Sequence, residues 1–243
     1  MAADGSRWLI ASDCEYGHSG MPNIQELIDR SKAEGKPITN TEAYQAWGGY
    51  AAVKECLTTL VQIGAVVFDR ETHKIVEEFE VIVDPEGGPF PWCDQTSKNM
   101  HTMSNMPEGT FGPGIGLSAD DALASFADLF AKYPGAIWVV MDNDYNVMMR
   151  QDAHSVLPPP PLRLKPALQS TSARGYNSGQ LHQLVEDEAL KASVGFDFAS
   201  SDCQHTGKFD AASMVVFLQF ASPGGDGMDA FLSTLPSTPP TTQ

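Results

Sequence analysis

The sequence is poor in cysteine and in positive charge, and each shortage narrows what the protein does. Its cysteines, Cys14, Cys56, Cys93 and Cys203, are scattered with no C-x-x-C pair. That excludes the common zinc modules and a disulfide framework, and is the usage of reduced thiols in an intracellular protein. Against 31 acidic residues stand only 15 basic ones, for a net charge of −16. A chain so charged does not capture nucleic acid through a broad basic surface, although a cleft in which metal ions supply the positive charge stays open to it. No apolar run reaches the ~18 residues of a membrane span. Met1 to Arg7 lacks the basic start and apolar stretch of a secretory signal. With 243 residues, 42% of them hydrophobic, the chain has material for one generous core.

Turns divide the chain into recognisable elements. Arg7 to Tyr16 reads as a first strand, followed by a polar, glycine-punctuated segment in which Ile24, Leu27 and Ile28 keep helical spacing. Thr41, Tyr44 and Trp47 mark a second short helix after the Thr39-Asn40 turn. Cys56 to Asp69 is rich in β-branched residues and reads as a central strand; Lys74 to Pro85 alternates Ile75, Glu77, Phe79, Val81 and Val83 as its antiparallel partner. Glu86 to Gly116 reads as a long loop. Ser118 caps a helix with the stripe Leu123, Phe126, Leu129 and Phe130. Ala136 to Met141 is a short buried strand leading into a helix that runs to about His154, with Pro158 to Pro161 beyond it. Gly179 to Leu190 and Phe209 to Phe220 are further helices, and the segment from Ser222 is expected to fray. Antiparallel strands first, then alternating helices and strands, predict an α/β fold: a mixed sheet with helices on its faces.

Carboxylates stand at the ends of several apolar elements. Asp13 and Glu15 close the first strand two positions apart, hence on one face, at the end of the sheet where open α/β folds bind ligands. Asp144 follows the Ile137 to Met141 strand and opens a helix; Asp142 is its rival, and either residue also suits a simple helix cap. Asp210 heads a stripe of Asp210, Met214, Phe217 and Ala221, where an acid is costly unless paired or metal-bound. His205, on the loop leading into that helix, is placed to serve as a general base.

Taken in order, Asp13-x-Glu15, the Ile-Gly-Ala-Val-Val-Phe-Asp strand with its partner ending Val-Asp-Pro, Asp144 after a buried strand, and His205-x4-Asp210-Ala211 resemble the DEDDh exonucleases. These are the DnaQ-like, ribonuclease-H-fold 3′-to-5′ exonucleases, and the similarity spans about Trp8 to Phe220. Asp142-Asn143-Asp144 is similar to the second motif of the enhanced-RNAi and histone-message branch, whose substrates are RNA. There are departures. An insertion of about residues 17–50 follows the Asp-x-Glu, and Thr206-Gly207 stands where an Arg or Lys usually follows the histidine.

The resemblance implies an exonuclease domain over 1–221 and a flexible tail over 222–243. It implies two Mg²⁺ or Mn²⁺ ions ~3.5 to 4 Å apart, held by Asp13, Glu15, Asp144 and Asp210. Asp13 would bridge both ions, Glu15 and Asp210 would complete the nucleophile side, and Asp144 would act on the leaving-group side. His205 would take the proton of the attacking water, and nucleoside 5′-monophosphates would leave from single-stranded RNA or DNA 3′ ends. Tyr16, Met100 to Met103 and Tyr145 are candidates for stacking on terminal bases, with core packing the weightier role for each. The low positive charge suits short or single strands, or a protein partner that delivers them. Two other classes compete: an inactive exonuclease fold acting as a scaffold, and a glycosidase using Glu15, which leaves His205 and Asp210 without a role.

Overall fold

The segment Trp8-Leu-Ile-Ala-Ser alternates its side chains between two apolar layers, and everything else is arranged around it. A computed structural model of the chain describes residues 6–48, 56–104, 106–142, 144–165, 188–198, 206–221 and 226–237. Strand β1 (Trp8–His18) pairs antiparallel with β2 (Thr58–Asp69), which pairs antiparallel with β3 (Lys74–Ile82). On its other side β1 runs parallel to β4 (Ile137–Val140), and β4 parallel to β5 (Leu162–Arg163), so the sheet order is β3-β2-β1-β4-β5. Every residue of β2 is buried, as its unbroken apolar run requires. The edge strand β3 alternates between exposed and half-buried positions.

Helices cover both faces. One layer sets Leu9, Ala11, Val66 and Phe68 against α7 (Gly207–Ala221), an almost wholly buried helix, and against Met228 and Leu232 of α8 (Asp226–Thr234). The other sets Ile10, Ile63, Ala65 and Val67 against α4 (Ala119–Lys132) through Leu123, Phe126 and Leu129, and against α5 (Asp144–Met149) through Val147 and Met148. In that layer the Trp138 indole N–H donates to Ser12 Oγ at 2.8 Å, both groups being buried. The mixed sheet with helices on both faces agrees with the predicted class.

Between β1 and β2 lie α1 (Ile24–Ala33) and α2 (Asn40–Trp47). Asn23 caps the first and a Thr39–Glu42 capping box starts the second. The excursion is closed at its root, where the Ser19 N–H donates to the Leu57 carbonyl and the Leu57 N–H to Ser19 Oγ, each at 2.9 Å.

Several boundaries differ from the sequence reading. β1 continues to His18, so the inserted segment starts two residues later. The loop expected over Glu86 to Gly116 contains α3 (Asp94–Ser104), which buries Thr96, Asn99, Met100 and Ser104. The helix expected to reach His154 stops at Met149, because the Asp152 carboxylate accepts the N–H groups of Val156 and Leu157 and turns the chain. Beyond Ser222, α8 forms and seats Met228, Leu232 and Leu235 in the core. Most of Gly179 to Leu190 lies outside the described residues; α6 (Glu188–Val194) is helical.

One ion pair fastens the start of the sheet. Arg7 donates to Asp69 in a bidentate fork, at 3.1 Å from Nε and 2.7 Å from Nη2. Hydrogen bonds from Arg7 hold the Asp69 carboxyl down at about 2, below its ordinary value of 3.8. A depressed acid contributes stability that is full above its unfolded value and is lost as pH falls through its folded value. Arg7 is 45% exposed, so solvent screens the pair and its contribution is modest. In urea melts, Asp69→Asn should be slightly less stable than the parent at pH 6 and show less of the decline that the parent shows between pH 4 and 2.

Candidate active site

Asp13 and Glu15 lie on the α7 side of β1, paired across the ladder with Gly64 and Gln62. What brings α7 down on them is the lack of side chains. A Cβ on Gly64 would lie 1.9 Å from the backbone nitrogen of Lys208, and one on Gly207 would lie 2.8 Å from the carbonyl oxygen of Asp13. Two glycines therefore let the first turn of the helix rest on the backbones of β1 and β2. Gln62, fully buried, locks the contact: its Oε1 accepts the Gly207 N–H at 3.0 Å while its Nε2 donates to Glu80 at 3.1 Å. Thr206 caps the helix, its Oγ1 accepting from the Phe209 N–H at 3.3 Å.

Asp210, one turn into α7, consequently meets the strand acids. Asp13, Glu15 and Asp210 each offer a carboxylate oxygen, and these oxygens all lie within 4.8 Å of one another. Asp144, the first residue of α5, is buried beside them. The Cys14 thiol, between Asp13 and Glu15 in sequence, donates to Asp144 Oδ1 at 3.5 Å. Its rival has another task. Asp142 is gripped by Arg163 at the end of β5 and, at 2.7 Å, by Lys165 two residues beyond it. His205 lies outside the described residues.

Burial, then the charges of Asp144, Asp210 and Glu15, push the Asp13 carboxyl well above the ordinary range. Burial and the charges of Asp210 and Asp144 do the same to Glu15. Burial also raises Asp144, against hydrogen bonds that favour its ionised form. Among the described residues no ion pair reaches Asp13, Glu15 or Asp144. Converging hard carboxylate oxygens are the donor set that hard divalent cations such as Mg²⁺ and Mn²⁺ prefer, so the residues fit such ions.

Of the stacking candidates, Met100 packs with Val61 and Phe111, and Tyr145 against Trp138 with ring centroids 5.4 Å apart. Both belong to the core. Tyr16 is half-buried at the end of β1. Sequence reasoning missed Gln62, Cys14 and the glycine pair. A glycine inside an otherwise buried strand, as at Gly64, is the signal for a close backbone approach.

No protein-family model matches the chain, and no curated protein is similar to it in sequence. Solved structures are similar in fold. A 3′-exonuclease described in 3′-end specific recognition of a histone mRNA stem-loop superposes with a TM-score of 0.57 at 12% identity, over 98% of this chain and 93% of that one. The nuclease domain of 3′hExo, a DEDDh family member bound to rAMP, gives 0.57 at 12% identity over 97% and 98%. A full-length 3′-exonuclease gives 0.56 at 12% identity over 100% of this chain and 70% of that one. The chain thus has the ribonuclease-H-like fold of the DEDDh exonucleases, with an acid cluster at the end of its central strand.

Proposed function

We propose that this protein is a divalent-metal-dependent 3′-to-5′ exonuclease that releases nucleoside 5′-monophosphates from single-stranded nucleic acid, RNA in preference to DNA. The observation that carries this is the convergence of Asp13, Glu15 and Asp210 beside buried Asp144, on a fold whose similar structures include a 3′-exonuclease acting on a histone mRNA and a nuclease domain holding rAMP. One of those ligands is an RNA and the other a ribonucleotide, which supports the preference.

Asp13, Glu15, Asp144 and Asp210 would hold two Mg²⁺ or Mn²⁺ ions. When bound, such ions supply Lewis acidity, making water more acidic and stabilising charge on the leaving 3′ oxygen. The protein's own part is positional. Gln62 and the two glycines fix the height of Asp210 over Asp13 and Glu15, and Cys14 orients Asp144 from below. His205 would take the proton of the attacking water from the loop that enters α7. An inactive scaffold is the alternative; the net charge of −16 favours it, and a complete set of acids weighs against it.

End-labelled single-stranded RNA and DNA, digested side by side with Mn²⁺, test the proposal. Stepwise release of 5′-monophosphates is expected, faster from RNA, with at least a ~10²-fold loss in His205→Ala, the span typical of a general base. Absence of release from every strand, or release that survives Asp13→Ala, overturns it.

A further inference from the structure

We propose that the end of β1 and the inserted segment together carry a binding track for single-stranded nucleic acid, in which the rings of Tyr16, His18, Trp47 and Tyr44 stack with bases lying 5′ of the bond to be cut. The direction of the strand rests on the exonuclease reading; the track itself rests on geometry. Tyr16 directly follows Glu15. Ring centroids then step outward, 5.2 Å from Tyr16 to His18, 6.4 Å from His18 to Trp47 and 6.0 Å from Trp47 to Tyr44. The rings lead from the end of β1 onto α2, and the Ser19–Leu57 hydrogen bonds tie the root of the insertion to the sheet.

Tyr16 packs against the Ile10 layer of the core, but core packing does not account for the other three rings. Among the described residues of the insertion only Ile24 and Ala43 are buried, while Tyr44 and Trp47, its largest side chains, stay half-exposed. Large amphipathic rings held at a rim serve recognition better than stability. Electrostatics point the same way. The described part of the insertion, residues 19–48, has Arg30, Lys32 and Lys36 against Glu26, Asp29, Glu34 and Glu42, and Arg30 is paired with Glu26. Phosphate attraction is therefore weak there, and sequence-tolerant stacking is the remaining way to hold a strand.

Unsatisfied polar atoms mark the middle of the track. His18 Nδ1 is buried without a hydrogen-bond partner, as is the Oγ1 of Thr58, the residue opposite it in the β1–β2 ladder. Such atoms are costly to leave unpaired, and a base edge or ribose hydroxyl would offset that. Burial holds the His18 imidazole down at about 4, so at neutral pH it is an uncharged ring suited to a base.

Fluorescence anisotropy with 5′-fluorescein-labelled 12-mers of RNA and of DNA, and with the matching labelled dinucleotides, tests the track in the full chain with Ca²⁺ present. Stacking is worth ~1 to 3 kcal/mol per base, or about 5- to 150-fold in affinity. Trp47→Ala is expected to weaken 12-mer binding at least ~10-fold and dinucleotide binding far less, with Trp47→Phe restoring most of the loss. Tyr44→Ala should behave likewise. Equal losses on 12-mer and dinucleotide, or none on either 12-mer, overturn the track. If the parent binds 12-mers through Trp47 but releases no mononucleotide, the track stands and the exonuclease reading falls; release with 12-mer binding indifferent to Trp47→Ala gives the reverse.

Discussion

Gly64→Ala is expected to destabilise the protein by at least about 3 kcal/mol and to abolish activity with it. Alanine suits the backbone of a strand, so the effect comes from contact alone. The new methyl would lie 1.9 Å from the Lys208 nitrogen and 2.1 Å from the Gly207 carbonyl carbon. Both are backbone atoms, which no rotamer change moves aside. To admit the methyl, α7 must lift off β2, breaking the Gln62–Gly207 hydrogen bond and carrying Asp210 away from Asp13 and Glu15. Gly207→Ala, with its nearest contacts at 2.8 Å, should cost less, and Gly112→Ala, with its nearest at 3.6 Å, should be close to neutral. Urea unfolding of the three variants should rank them in that order. A Gly64→Ala protein as stable as the parent would show that α7 does not rest on the strand.

The same contact explains one departure from the family pattern. Position 207 is pressed against the Asp13 carbonyl and Gly64, which calls for glycine there, and Thr206, standing where the resemblance expects a basic residue, caps α7 instead. Much of the rest was legible in the chain. Asp13 and Glu15 stood on one face of a strand, and β2 read as central because it is rich in β-branched residues, with only Gln62, the threonines at its start and Asp69 at its end polar. The resemblance chose Asp144 over Asp142, but the residues alone did not, since Asp142 is taken up by Arg163 of β5 and Lys165 just beyond it. α3 was hidden because three of its four buried residues, Thr96, Asn99 and Ser104, are polar and leave no apolar period. In α8 the spacing of Met228, Leu232 and Leu235 was helical, but Pro-Gly-Gly before it and Ser-Thr-Pro-Pro after it carried more weight.

A second large effect is expected at Asp13. In the metal-free protein the acids repel one another in a buried site, so neutralising one should stabilise the fold. Asp13→Asn is expected to raise Tm in EDTA at pH 7.5 by ~2 to 4 °C for each kcal/mol of repulsion removed. The pH dependence has the opposite sign to that of Asp69. Acids held above their ordinary range bind more protons folded than unfolded, so stability falls as pH rises through that range. The parent in EDTA should therefore gain stability on moving from pH 7.5 to 5.5, and Asp13→Asn should gain less. Mn²⁺ reverses the order: at ~100 times its Kd a ligand adds about 2.7 kcal/mol to the parent, and the variant should gain little.

Isothermal titration of Mn²⁺ into metal-free protein at pH 7.5 tests the carboxylate site most directly. The parent and Asp120→Asn, an exposed acid in the first turn of α4, should show the same saturable binding, and Asp13→Asn should lose it. Absence of binding in the parent, or binding that Asp13→Asn leaves intact, would contradict a metal site at Asp13, Glu15, Asp144 and Asp210.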